Sequence, residues 1–157
     1  MESDLYEQDF ALWSAAQAQA IREARAARLN TPAPIDWDNV AEEIESLGIS
    51  QKTALRSRIA IIIQHLMKLQ ASPASQPRAG WSETIRIQRH EIEDLLSDSP
   101  SLRREVSGMI TAAIPRLHKQ VAATLADYGE KPATDLNQLT YTEDQVVGDW
   151  FPGARDA

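Results

Sequence analysis

The stretch Leu55-Arg56-Ser57-Arg58-Ile59-Ala60-Ile61-Ile62-Ile63-Gln64-His65-Leu66-Met67-Lys68-Leu69 decides the fold class. Projected at about 100° per residue, Leu55, Ile59, Ile62, Leu66 and Leu69 fall on one stripe, and Ile61 and Ile63 widen it. So broad an apolar arc belongs to a central helix with neighbours on more than one side. The same projection puts Arg58 and His65 inside the arc, on one flank and about two turns apart. A guanidinium in that position is tolerated only when paired and hydrogen-bonded, so a carboxylate partner is expected for Arg58. His65 reads as a core histidine bonded to backbone or to a carboxylate.

Working outward, the period stays helical and no segment alternates long enough to make a strand. Before the central helix, Asp36 is a natural N-cap and Gly48 a natural C′ residue, enclosing a helix of about three turns. Trp37, Val40, Ala41, Ile44 and Leu47 share its apolar face. With Ser50 as the next cap, this helix and the central one should form an antiparallel hairpin. Further upstream, Tyr6, Phe10, Trp13, Ala20, Ile21 and Ala24 give a stripe to a helix over Asp4–Arg28, which ends before Thr31-Pro32-Ala33-Pro34. Downstream, residues 71–80 supply the longest internal loop, and a fourth helix runs from near Ser82 to near Ser97, with Trp81, Ile85, Ile92, Leu95 and Leu96 facing inward.

Ser99-Pro100 reads as N-cap and N1 of a fifth helix that continues to about Tyr128, before Gly129, with Pro115 expected to kink or break it. Thr142 and Gln145 form a capping box for a short last helix. The expectation is an all-α bundle of about five main helices plus a short C-terminal one, without sheet, as a single domain over residues 1–157.

Composition sets the outer limits. At 157 residues, with 43% hydrophobic and 25% charged, the chain is an ordinary globular one. It has no cysteine, which excludes disulfide scaffolds, thiolate metal sites and thiol nucleophiles. The amino-terminal MESDLYEQDF lacks the basic flank and apolar run of a secretory signal. The apolar run from Ile59 to Ile63 is far short of the roughly 20 residues needed to span a bilayer. A soluble, cytoplasmic protein is expected. A net charge of −7 argues against nucleic acid as a partner, because phosphates demand a basic footprint.

Several stretches resemble a bacterial family known as domain of unknown function 29: Tyr6-Glu7-Gln8-Asp9-Phe10 with Trp13, then Asp36-Trp37-Asp38-Asn39-Val40-Ala41-Glu42-Glu43-Ile44-Glu45 and Ser57-Arg58. His65-Leu66-Met67-Lys68-Leu69-Gln70, Trp81 with Thr84-Ile85, Gln88-Arg89, Ser99-Pro100-Ser101-Leu102 and Tyr141 continue the likeness over almost the whole chain. Leu69, where such proteins usually carry an aromatic residue, and the Asp149-Trp150-Phe151-Pro152 end depart from the pattern. The resemblance implies an all-helical fold and a bacterial origin, and supplies no reaction, substrate or ligand.

Polar residues near apolar faces are the remaining candidates. Gln88 falls in the centre of the fourth helix's stripe and should be buried, Arg89 lies on its flank, and His90 points away. Glu43 and Glu45 flank the stripe of their helix, whereas Glu42 looks out; with Gln88 and Arg89 they make a candidate polar binding cluster. His90 with Glu93 and Glu91 with Asp94 stand at i, i+3, yet the Glu-x-x-His order of di-iron bundles is reversed and unduplicated, so neither metal nor cofactor is expected. Hydrolase, phosphate-loop, zincin and dinucleotide motifs are absent.

These readings favour a noncatalytic helical module that binds a protein partner or associates with itself, with Trp150 and Phe151 as apolar residues a partner could cover. The enzyme alternative rests on Arg58 and His65 as catalytic candidates, separated by six residues as in the arginine-histidine pair of HEPN ribonucleases, which this spacing resembles. There the histidine would move protons and the arginine would stabilise phosphate charge.

Overall fold

The computed structural model describes residues 3–28 and 30–153. Among these residues, six α-helices carry the fold: α1 Ser3–Gln8, α2 Phe10–Ala26, α3 Trp37–Ala71, α4 Arg78–Asp98, α5 Val106–Asp127 and α6 Glu143–Val147. Two 3-10 turns, Pro100–Glu105 and Leu136–Gln138, complete it, and no strand occurs among the described residues. The chain is all-helical. It forms two compact units, one from residues 1–55 with 94–103 and the other from 56–93 with 104–157. Each unit is thus assembled from two separated stretches of sequence.

In the first unit, the expected helix over Asp4–Arg28 is interrupted at Asp9, which takes an extended backbone at φ −154° and ψ 96°. The reason is local competition for donors. The Asp9 carboxylate caps α2 by accepting from Leu12 N at 2.9 Å, and accepts from Ser101 N at 2.7 Å and Ser101 Oγ at 3.0 Å. Ser99 does not cap the fifth helix with its side chain, as its position suggested; its Oγ accepts from Ala11 N at 3.1 Å. The chain then enters the Pro100–Glu105 turn, and α5 begins only at Val106.

The larger correction concerns Gly48. No hairpin forms there, because α3 runs unbroken for 35 residues through both Gly48 and Ser50. Ser14, fully buried on α2, accepts from Gly48 N at 3.2 Å and donates from its hydroxyl to Ile44 O. A Cβ at position 48 would stand 3.0 Å from Ser14 Oγ and 3.3 Å from Ala11 O. Glycine marks a close helix crossing, which outweighs its low helix propensity of about 1 kcal/mol relative to Ala. The apolar face also differs from expectation: Ala41 is buried and Ile44 half-buried, but Val40 and Leu47 are exposed.

In the second unit, Ile59, Ile62, Ile63, Leu66 and Met67 of α3 are fully buried, as are Ile85, Val106, Val121 and Val146. The stripe read from residues 55–69 is thus largely core: Leu55, which belongs to the first unit, is fully buried and Leu69 nearly so, whereas Ile61 is half-buried. Helix α4 starts at Arg78, a turn before the expected Ser82. Gly80 sits in its first turn, where N–H groups have no intrahelical partner in any case, and so it does not delay the start. The longest stretch outside α-helix among the described residues is 128–142, not 71–80.

Helix α5 continues through Pro115, which lies exposed, so the carbonyl it leaves unpaired can be hydrated. It ends as the sequence implies. Gly129 at φ +67° lets Gly129 N donate to Ala126 O and Glu130 N to Leu125 O, a Schellman motif. At α6 the capping box forms with both bonds: Gln145 N to Thr142 Oγ1 at 3.2 Å and Thr142 N to Gln145 Oε1 at 3.0 Å.

Candidate functional site

Arg58 and His65 both lie on the second unit's part of α3. Arg58 donates to Gln88 Oε1 at 3.2 Å and stands 3.4 Å from Glu91 Oε2, with side chains 31% and 47% exposed. The expected carboxylate partner is Glu91, but the pair is wet and long for a charge-assisted bond. Gln88, expected to be buried, is half-buried and serves as the second acceptor for Arg58.

His65 is half-buried, and its Nδ1 donates to Ile61 O at 2.7 Å within its own helix. That bond fixes the tautomer and leaves Nε2 as the acceptor. Burial pushes the imidazole pKa below its ordinary value; the Ile61 bond opposes this, and the Lys68 charge adds to it. The ring is neutral at pH 7. Lys68, one turn on, lies 5.9 Å from the centre of the Trp81 ring on α4.

Arg89 does not join Arg58. Its Nε donates to Val146 O at 2.9 Å, and its Nη2 donates to Gln145 O at 2.8 Å and Trp150 O at 2.7 Å. It thereby satisfies carbonyls at the end of the five-residue α6 and in the segment beyond. The Phe151 ring is flanked by the guanidinium groups of Arg89 at 4.8 Å and Arg86 at 5.0 Å. Trp150 lies 6.3 Å from the Tyr141 ring. Both aromatic residues offered for a partner are thus half-buried against their own chain.

The acidic candidates sit in the first unit. Glu45 accepts from Arg22 Nη2 at 2.6 Å, and that hydrogen bond holds its carboxyl below the usual range. Glu43 is exposed. The four residues of the candidate cluster therefore divide: Gln88 serves Arg58, Arg89 the C-terminal segment, Glu45 the Arg22 guanidinium, and Glu43 faces solvent. His90 is exposed, as its helical position implies. Among the described residues, no group of three or more His, Asp or Glu is placed to hold a metal ion, and no helix is long and apolar enough to cross a membrane.

Sequence reasoning missed a second polar arrangement in the second unit. Arg78, at the start of α4, donates from Nη2 to Leu69 O at 2.7 Å and from Nη1 to Ser72 O at 3.5 Å. Buried Tyr141 donates its hydroxyl to Gln70 Oε1 at 2.5 Å, and burial raises the phenol's pKa. Arg78 and Gln70 line a cleft of about 320 Å³ with Leu69, Thr134, Leu139, Pro152 and Gly153. Nothing in the one-dimensional pattern joins residues 70, 78 and 134; the bonds from Ala133 N to Ala71 O and from Ser72 Oγ to the Glu130 carboxylate, each 2.7 Å, bring those stretches together.

The chain belongs to the family described as domain of unknown function DUF29, whose family model matches residues 5–151. It is similar in fold to an alpha-helical protein of unknown function from Rhodospirillum rubrum ATCC 11170, with a TM-score of 0.71. The two are 21% identical, and the match covers 94% of this chain and 98% of the other. No curated protein shows significant similarity to the chain.

Proposed function

We propose that this DUF29 protein is a cytoplasmic, noncatalytic module that binds another protein through the first half of α3. The observation that carries this reading is one stripe of the helix. Val40, Ile44 and Leu47 stand at i, i+4 and i+7, and Val40 and Leu47 are 39% and 49% exposed. That spacing suits a partner helix laying its own apolar stripe alongside. Glu43, exposed and about 60° round the helix from Val40 on the side away from Ala41, gives the stripe an acidic border. The complementary occupant is an amphipathic helix with Lys or Arg beside its apolar face.

A benzophenone side chain introduced at position 47 tests this reading. It is expected to cross-link a second polypeptide in cells, and Val40→Asp and Glu43→Lys should each abolish the product while the circular dichroism spectrum stays unchanged. A product insensitive to both changes, or none, would overturn the reading. A product formed solely with another copy of this chain would replace the heterologous partner by self-association.

One observation favours the ribonuclease alternative. The bond to Ile61 leaves His65 Nε2 as an acceptor on a neutral ring, the form a general base requires. Arg58, however, already serves Gln88 and Glu91, and lies about 10 Å along the helix from His65. Purified protein is expected to leave a generic transcript intact. Cleavage that is lost in a folded His65→Ala variant would make the protein a nuclease.

A further inference from the structure

The cleft beside the end of α3 differs in sign from the chain's net charge. The chain carries 23 acidic and 16 basic residues, yet the cleft lining holds Arg78 and no acidic side chain. Arg78 is half-buried, and its two carbonyl bonds, to Leu69 and Ser72, fix the guanidinium in place. Those bonds use two of the five guanidinium N–H donors. Gln70 is oriented as well: its oxygen is committed to the Tyr141 hydroxyl, so the amide's other end is a donor. The raised pKa of Tyr141 keeps that hydroxyl protonated across the neutral range. Thr134 adds a hydroxyl, and Leu69, Leu139 and Pro152 add apolar wall.

We infer that this cleft is a binding site for a small aliphatic carboxylate. Its acid group pairs with Arg78 and the Gln70 amide, and its short hydrocarbon body lies along Leu69, Leu139 and Pro152. A lining that combines fixed donors with apolar side chains suits a molecule with one charged end, and a guanidinium fork matches a carboxylate in two parallel bonds. A volume of about 320 Å³ stands at the lower end of the range for small-ligand pockets, which suits a small ligand. The inference is independent of the proposed protein-binding stripe, whose residues lie in the first unit.

Sodium hexanoate is the probe, with 1-hexanol and inorganic phosphate as the two halves of its chemistry. In methyl-labelled protein, hexanoate should shift the Leu69 and Leu139 resonances saturably, whereas the alcohol and the inorganic anion should not. Thr134→Asp places a carboxylate at an exposed loop position of the lining and should spare the fold. It is expected to weaken hexanoate binding by about tenfold or more, the factor one charge-assisted hydrogen bond carries. Arg78→Lys keeps the charge but loses the fork, and should weaken binding as well. Absence of saturable shifts, equal shifts with hexanol or phosphate, or undiminished affinity in folded Thr134→Asp protein would each overturn the assignment.

Discussion

Ser14 and Gly48 lock two helices of the first unit at a distance that admits no side chain between them. Gly48 N donates to Ser14 Oγ at 3.2 Å, and a Cβ at residue 48 would meet that oxygen at 3.0 Å. Because Ser14 also donates to Ile44 O, the hydroxyl cannot swing away without losing a buried bond. Gly48→Ala is expected to destabilise by about 1 kcal/mol despite the better helix propensity of alanine. Gly108→Ala in α5, where a Cβ meets nothing within 4 Å, is expected to stabilise by about 0.5–1 kcal/mol. Urea denaturation midpoints of the two variants should move in opposite directions.

The same pair shows where the sequence could be read and where it could not. Gly48 with Ser50 just after it has the local form of a stop and a start, and the serine that requires the glycine lies 34 positions away. Asp9 likewise looks like one more polar residue on a helix until Ser101 is brought to it. Local devices were legible, among them the Thr142–Gln145 box, the Gly129 terminus and the buried stripe of residues 55–69. Of the candidate site, a carboxylate beside Arg58 is present, but the burial cost that led to its expectation does not hold, and its identity as Glu91 needed the approach of α4 to α3 at these residues. Arg78 gave no signal, because what makes it notable is the loop around Thr134.

Arg58 should matter little for stability. Its pair with Glu91 is 3.4 Å long and both side chains are substantially exposed, so the desolvated-charge penalty anticipated for a buried guanidinium does not arise. Arg58→Ala is expected to cost about 1 kcal/mol or less, and a double-mutant cycle with Glu91→Gln to give a coupling below about 1 kcal/mol that fades with added salt. A loss several times larger in chemical denaturation would show that the guanidinium is held more tightly than this geometry implies.

His65 should make stability depend on pH in one direction. Its folded pKa lies below the ordinary value of 6.5, chiefly through burial, so between the folded pKa and 6.5 the unfolded chain binds more protons than the folded one. Stability therefore rises with pH through that window, is fully present above it, and is lost as the medium acidifies towards the folded pKa. His65→Gln cannot charge and should flatten this part of the profile. Denaturation midpoints measured from about pH 5 to about pH 8 decide the matter, and an unchanged slope in the variant would mean the imidazole titrates as in the unfolded chain.

Arg89 is expected to be the costliest polar side chain to remove. It serves three carbonyls, of Gln145, Val146 and Trp150, and stacks on Phe151, so one substitution would release the end of α6 and the segment after it together. Bonds to a charged donor contribute about 1.5–3 kcal/mol each but are not additive within one group, so Arg89→Ala should cost about 2–4 kcal/mol. Arg89→Lys should recover only part of this, since an ammonium cannot reproduce the planar fork that reaches three acceptors at once. Hydrogen exchange separates a local effect from a global one. Faster exchange confined to residues 143–151 means that the guanidinium pins the segment, whereas uniform acceleration across α3 and α5 would mean that the segment is an integral part of the second unit's core, to which buried Val146 already contributes.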